Sequence, residues 1–263
     1  MNFLYFSNNS LIAKSLDPIN EIDTAFIDLE IIGKEKRQKG TNSLISYHEF
    51  EDISKFKEIL NNTFVGVRIN PIHSNTKKEI DECIKRGADV IMLPMFKNRN
   101  EVLKCLDYIN NRCKLDLLLE TPEALQKIRE FPLDEIRFCH FGINDLSLAF
   151  KYKNMFECFF KNILNYPIEE LKTKNKIFGI GGIGASDAKP ISPILIFRLN
   201  YFFGSSRTIL SRNFLNKIDK SSRINANNSA LKEFNLLKKV SFAALKEWKS
   251  FSQIELEYKK LNL

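Results

Sequence analysis

Eight short apolar runs, each followed by a stretch with helical periodicity, constrain this 263-residue chain more than any other feature. The runs are FLYFS (3–7), TAFIDLE (24–30), TFVGVRIN (63–70), ADVIMLPM (88–95), LDLLLE (115–120), EIRFCHFGIND (135–145), KIFGIGGIG (176–184) and YFFGSSRTIL (201–210). Between them Phe50, Ile53, Phe56, Ile59 and Leu60 recur at helical spacing, and TKKEIDECIKRG (76–87) is a helix stopped by Gly87. NEVLKCLDYINNR (100–112) and PEALQKIREF (122–131) repeat the helical pattern. A run such as Leu117, Leu118 and Leu119 has no polar face, so both its sides must be covered, as in parallel sheets flanked by helices. The alternation predicts an α/β fold: a single (β/α)8 TIM barrel over residues 1–224 with a C-terminal helical extension over 225–263. In that extension Leu231, Phe234, Leu236, Leu237, Val240 and Ala244 recur at three- and four-residue steps, giving a face to pack on the barrel or on a partner subunit. An open doubly wound sheet is the alternative, but eight evenly spaced strands favour closure.

Composition narrows the function classes. No stretch approaches the roughly 18 consecutive apolar residues of a membrane span, and the opening MNFLYFSNNS reads as a first strand, not a secretory leader. Cys83, Cys105, Cys113, Cys139 and Cys158 are odd in number, scattered and without a CxxC pair, which points to a reducing cytoplasm. The net charge of +8 is uneven: residues 1–150 carry 20 Lys+Arg against 23 Asp+Glu, residues 151–263 carry 20 against 9. The late lysines lie in helical patterns beside Glu and Asn with no aromatic stacking motif, so they read as a solvated basic face and not a nucleic-acid surface.

The ends of the predicted strands are unusually polar. In a closed barrel those ends form the C-terminal rim, where chemistry resides. Strand two ends in Asp28 and Glu30, strand three in Arg68 and Asn70, strand five in Glu120, strand six in Asn144 and Asp145. Glu120 and Asp145 lie one α/β unit apart, so their strands are expected to be neighbours, roughly 4.8 Å from each other. Two carboxylates that close need a shared proton or a bridging cation. Oxygen-only ligands would select a hard ion such as Mg2+ or Mn2+. Read alone, the pair fits either a metal site or a helix cap and a salt bridge. Arg68 pairs with Asp28 or Glu30, or faces a substrate oxygen that gains charge during reaction.

FIDLE, VRIN, GADVIMLPM, LLLET and FGINDLSL, in this order and spacing, resemble the HpcH/HpaI-type class II pyruvate aldolase and citrate lyase β-subunit family of the phosphoenolpyruvate/pyruvate superfamily. The resemblance covers residues 20–150 and continues more loosely through GIGGIG and GSSRTILSR. It implies a homo-oligomeric barrel enzyme acting on a small 2-oxo acid, with Mg2+ or Mn2+ held by Glu120 and Asp145 and with Arg68 stabilising the enolate oxygen of pyruvate. The implied reaction is carbon–carbon cleavage or formation of a 4-hydroxy-2-oxo acid, possibly a sugar-derived one. Two other readings stay open: a CoA-ester lyase or other enzyme of the superfamily, and a barrel that binds an oxo acid without turning it over.

The chain departs from the family where its aldolases carry a His after the acidic group of strand two; here DLEIIG has Ile31 and Ile32. His48, further along the same connection, reads either as an N-terminal helix residue or as the replacement base. His140 reads first as a hydrogen-bonded core or rim histidine, and His73 as a loop residue. The glycine-rich turns near strands seven and eight occupy the barrel's usual phosphate-gripping corner. They make Gly182, Ser205 and Arg207, with Asn144, candidate substrate-binding residues, although tight turns explain the glycines equally well. The basic stretch GKEKRQKG (33–40) reads as a solvated lid from which Lys36 or Arg37 can swing over an anionic substrate.

Overall fold

The computed structural model describes residues 1–34 and 48–262, the backbone alone over 220–228; Lys36 and Arg37 lie outside the described residues. Eight parallel strands close into a barrel in sequence order: β1 (Asn2–Phe6), β2 (Ile22–Asp28), β3 (Phe64–Arg68), β4 (Val90–Leu93), β5 (Lys114–Leu119), β6 (Phe138–Phe141), β7 (Phe178–Ile183) and β8 (Arg207–Leu210). Closure is made by β1 and β8, which pair Asn2 with Arg207 and Tyr5 with Leu210. The described helices are α1 (Ser10–Leu16), α2 (Phe50–Ile59), α3 (Thr76–Lys85), α4 (Arg99–Ile109), α5 (Pro122–Gln126), α6 (Ile143–Ala149), α7 (Asn165–Thr173), α8 (Pro193–Phe203), α9 (Arg212–Lys246) and α10 (Phe251–Lys259). None is long and apolar enough to cross a membrane.

The two-residue period of the strands sorts their side chains. One set, including Leu117 and Leu119, faces the helices and joins the large outer core. The other set points inward, where Leu4, Phe26, Val90, Met92, Leu118 and Phe138 form a separate buried cluster. Two positions further along the same strands come Phe6, Asp28, Glu120 and His140, so inward parity delivers these residues to the rim. Below the cluster the barrel is sealed by ions. Arg137 donates from Nε to Asp116 at 2.8 Å and from Nη1 to Asp23 at 2.9 Å, Arg207 donates to Asp23 at 2.7 Å, and both guanidiniums lie over the Phe138 ring.

Two predicted strands are shorter than the apolar runs that announced them. Strand six stops at Phe141, and Gly142 leads directly into α6, so Asn144 and Asp145 sit in the first turn of a helix. Strand eight begins only at Arg207; Tyr201, Phe202 and Phe203 close α8, which ends at Gly204 with φ +80°. The residues of α8, PILIFRLNYFF, are apolar on nearly every side, so no helical stripe marks them and their aromatic end imitates a strand. The C-terminal part of the chain is helical as predicted, with α9 running unbroken across residue 225. Arg198 of α8 ties its end to α10 through Glu247 (2.8 Å) and Glu257 (3.0 Å).

Gly66 in β3 controls the inner packing under the rim. A Cβ there would run into the Phe26 ring and lie 2.7 Å from Thr24 Cγ2. Phe26 stacks on Phe6 with centroids 5.1 Å apart, and Phe6 in turn supports Arg68 at 4.9 Å. Gly66→Ala is therefore expected to overpack the barrel by about 2–3 kcal/mol, read as a lower urea midpoint.

A candidate active site at the barrel mouth

The rim surrounds a cavity of about 380 Å³ whose wall includes Asp28, His48, Arg68, Glu120, Asn144, Asp145, Gly182 and Arg212. Asp28, the last residue of β2, is the electrostatic centre of one side. Its carboxylate accepts Arg68 Nε at 2.9 Å, Arg68 Nη2 at 2.7 Å and Lys34 Nζ at 2.5 Å. Burial alone would raise its pKa, but the paired Arg68 and Lys34 charges hold it well below the usual carboxylate range. Burial, reinforced by Arg68, lowers the Lys34 ammonium in turn. Glu30 completes the group, 3.4 Å from Arg68 Nε. Among the described residues these two carboxylates face the two cations Arg68 and Lys34, which offset their burial. Arg68 is a salt-bridge partner and a cavity-wall residue at once. Among the described residues no acceptor is bonded to its Nη1, which leaves that end of the guanidinium for a ligand.

His48 is placed by the same strand end. The Asp28 backbone N–H donates to His48 Nδ1 at 2.8 Å, so the neutral ring carries its proton on Nε2. Burial lowers the His48 pKa, which favours this neutral state. An imidazole held in this tautomer offers a hydrogen-bond donor to the cavity and not a lone pair. Asn70 serves the rim indirectly: its Oδ1 accepts the Ile31 and Ile32 N–H groups at 2.9 Å each, its Nδ2 donates to Glu79 at 2.8 Å, and it thereby shapes the chain leaving β2. His73 lies in this support as well, 3.0 Å from Glu79.

Across the cavity Glu120 follows β5 immediately, and Thr121 caps α5 by accepting the Ala124 N–H. Glu120 Oε1 accepts the N–H of Met95, which adopts φ +54°, a conformation that non-glycine residues rarely take. Gly142 gives Glu120 its space: a Cβ there would lie 2.8 Å from both Cβ and Oε2 of Glu120. β5 and β6 are hydrogen-bonded neighbours, as the spacing predicts, and Asp145 reaches the same cavity from the first turn of α6. Among the described residues no group of three or more His, Cys, Asp or Glu side chains is arranged to hold a metal. The donor set suits a hard ion that takes its other positions from water and substrate oxygens.

The HpcH/HpaI aldolase/citrate lyase family model matches residues 1–180. The chain belongs to that family. Its members are lyases and aldolases, and the matched stretch contains Asp28, Arg68, Glu120 and Asp145. Among solved structures, the HpcH/HpaI aldolase from Desulfitobacterium hafniense DCB-2 aligns with a TM-score of 0.57 at 12% identity, covering 85% of this chain and 93% of that one. Citrate synthase SbnG aligns with a TM-score of 0.58 at 14% identity, covering 88% and 93%. At these identities the structures support the barrel fold. No curated protein sequence matches the chain.

Against this HpcH/HpaI frame, Arg68, His48, Asn144, Gly182, Glu120 and Asp145 converge on one cavity. Ser205 and Arg207 do not. Because β8 starts at Arg207, both lie at the opposite, N-terminal end of the barrel, where Ser205 Oγ donates to the Arg207 carbonyl and Arg207 pairs with Asp23. They lie at the ionic floor, away from the mouth cavity. Sequence reasoning passed over Arg212, the first residue of α9, and Lys34. Arg212 lies two residues beyond the end of β8 at Leu210. His140 is fully buried on β6, its Nε2–H donating to the Gly181 carbonyl at 3.0 Å while Nδ1 faces the Cα of Gly179, where a Cβ would be 2.5 Å away.

Burial lowers the His140 pKa from 6.5 to about 4. The folded state thus resists a proton that the unfolded chain accepts. This contribution to stability is complete above pH 6.5 and is lost as pH falls towards 4, by up to about 3 kcal/mol. The urea midpoint of the wild type is expected to fall through this window, and His140→Gln is expected to flatten the slope whatever its stability at pH 7.

Proposed function

We propose that this protein is a divalent-metal-dependent aldolase that cleaves or forms a 4-hydroxy-2-oxo acid through a pyruvate enolate. The observation that carries the reading is the meeting, at one cavity, of two carboxylates from neighbouring β/α units with an arginine that Asp28 holds through Nε and Nη2. Glu120 and Asp145 would hold Mg2+ or Mn2+, which supplies Lewis acidity towards the carboxylate and keto oxygens of the 2-oxo acid. The glycine at 142 fits this assignment, since a Cβ there would lie 2.8 Å from Glu120 Oε2 and displace the carboxylate.

The residues of the chain divide the remaining work. In cleavage the C4 hydroxyl loses its proton, the C3–C4 bond breaks, and its electron pair passes to C3 and the keto oxygen. Arg68 donates from Nη1 to that oxygen as it gains charge, while Asp28 and Lys34 keep the guanidinium in place. His48 donates from Nε2 to the C4 oxygen, orienting the bond that breaks. Its Nδ1 is occupied by the Asp28 N–H, so the C4 proton passes to water. The enolate then takes a proton at C3, giving pyruvate and an aldehyde. The same steps in reverse form the carbon–carbon bond.

Release of pyruvate from a panel of 4-hydroxy-2-oxo acids, with Mn2+ and with EDTA, tests the reading. Turnover should require the metal, and Glu120→Gln and Asp145→Asn should each lower kcat/KM by at least about 100-fold with unchanged circular dichroism. Wild-type rates in both variants would remove the site assignment; binding of Mn2+ and pyruvate without any turnover would mark a non-catalytic barrel. Separately, Gly142→Ala should weaken Mn2+ binding by about tenfold or more, measured by electron paramagnetic resonance, because the added methyl displaces Glu120.

A further inference from the structure

Glu120 and Asp145 line two cavities. Beside the mouth lies a lateral cavity of about 300 Å³, built from the segments that follow β4 and β5 and from the C-terminal end of α6. Its wall includes Met95, Lys97, Pro122, Glu123, Leu148 and Ala149. Among the described residues only Glu120 and Asp145 belong to both walls, so the carboxylate pair forms the partition. Glu120 spans it with its two oxygens. Oε1 accepts the N–H of Met95, a lateral-wall residue, at 3.1 Å, and a Cβ on Gly142, a mouth-wall residue, would lie 2.8 Å from Oε2. Leu148 and Ala149 are exposed, so the lateral cavity reaches the surface beside α6.

The two approaches to the pair differ in charge. From the mouth, a cation passes Arg68 and Arg212. On the lateral side the one cation among the described lining residues is Lys97, and Glu123 holds its Nζ at 3.2 Å. Carboxylates along a cleft concentrate a diffusing cation, and fixed positive charges repel it. The mouth is also the space that the proposed oxo acid fills. We infer that the divalent ion enters and leaves through the lateral cavity while substrate uses the mouth, with Glu123 as the acidic residue that draws the ion in. The inference rests on the proposed assignment of the metal to Glu120 and Asp145, and adds the route by which the ion reaches them. A passage speeds arrival and departure alike, so closing it slows both by one factor and leaves the affinity unchanged. Damage to the site itself changes the affinity.

Mn2+ exchange tests this. Association is followed by loss of the free-ion electron paramagnetic resonance signal on rapid mixing, dissociation by a chase with excess EDTA, and pyruvate binding to the Mn2+-loaded protein by calorimetry. Leu148→Trp and Ala149→Trp fill the lateral cavity from exposed positions. Each should lower the Mn2+ association and dissociation rates together by about tenfold, with the Kd of Mn2+ and of pyruvate unchanged and circular dichroism preserved. Glu123→Lys should lower the association rate by about tenfold at low ionic strength and by less in high salt. Met155→Trp, on the mouth wall, should raise the Kd of pyruvate and leave both Mn2+ rates as they are. Unchanged Mn2+ rates in the lateral tryptophan variants or in Glu123→Lys, a fall in only one rate in the tryptophan variants, or slowing by Met155→Trp overturns the lateral route and leaves the metal assignment standing. Mn2+ that fails to bind, or that binds Glu120→Gln as tightly as the wild type, removes the metal assignment and the route with it.

Discussion

A single carboxylate, Asp28, organises the working end of this barrel. It ends β2 on the inward parity, where it would be costly alone, and is satisfied there by three N–H donors from Arg68 and Lys34. Removing one partner from such a buried pair costs about 3–5 kcal/mol, because the remaining charge stays desolvated. The arrangement therefore fixes more than itself. Arg68 is clamped by one edge, so its other edge is presented to the cavity. Lys34 ties the chain beyond β2 back to the rim, and the backbone N–H of Asp28 selects the tautomer of His48.

Around this centre, the absence of side chains matters as much as their presence. Gly66 makes room for Phe26, whose stack with Phe6 supports Arg68 from below. Gly142 makes room for Glu120 on the neighbouring side of the cavity. Gly181, at φ +57°, brings its carbonyl to His140 while leaving space for Ile143. Each glycine lies on a different strand or strand end, and each clears the path of one functional or supporting side chain. The Met95 N–H, held at a left-handed φ, then orients Glu120 from β4.

Much of the site was legible because parity and strand ends are local properties. Asp28, Arg68 and Glu120 follow their inward neighbours by two residues, and a polar residue ending an apolar run can be read without any contact information. Asp145 was found by the same rule, although it reaches the cavity from a helix and not a strand. The rule failed at β8. There the aromatic end of α8 extended the apparent strand towards the N-terminus, so Ser205 and Arg207, which lie where β8 begins, were not recognised as belonging to the opposite end of the barrel. Apolar periodicity does not separate those cases, since an all-apolar helix and a buried strand share a composition; the local marks of the helix are Pro193 in its first turn and Gly204 at its end.

The sequence by itself determined the alternation of strands and helices, the closure of the barrel and the family, because these depend on periodicity and on ordered short motifs. It also placed Asp28, Arg68, Glu120 and Asp145 at the rim, though not Lys34 or Arg212. Only the tertiary structure decided how those charges pair: that Arg68 gives one edge to Asp28, that Lys34 is buried against the same carboxylate, and that His48 Nδ1 accepts the Asp28 N–H. Pairing depends on which strands are adjacent, how far each one extends and where glycines let side chains pass, and those are relations between segments distant in the chain.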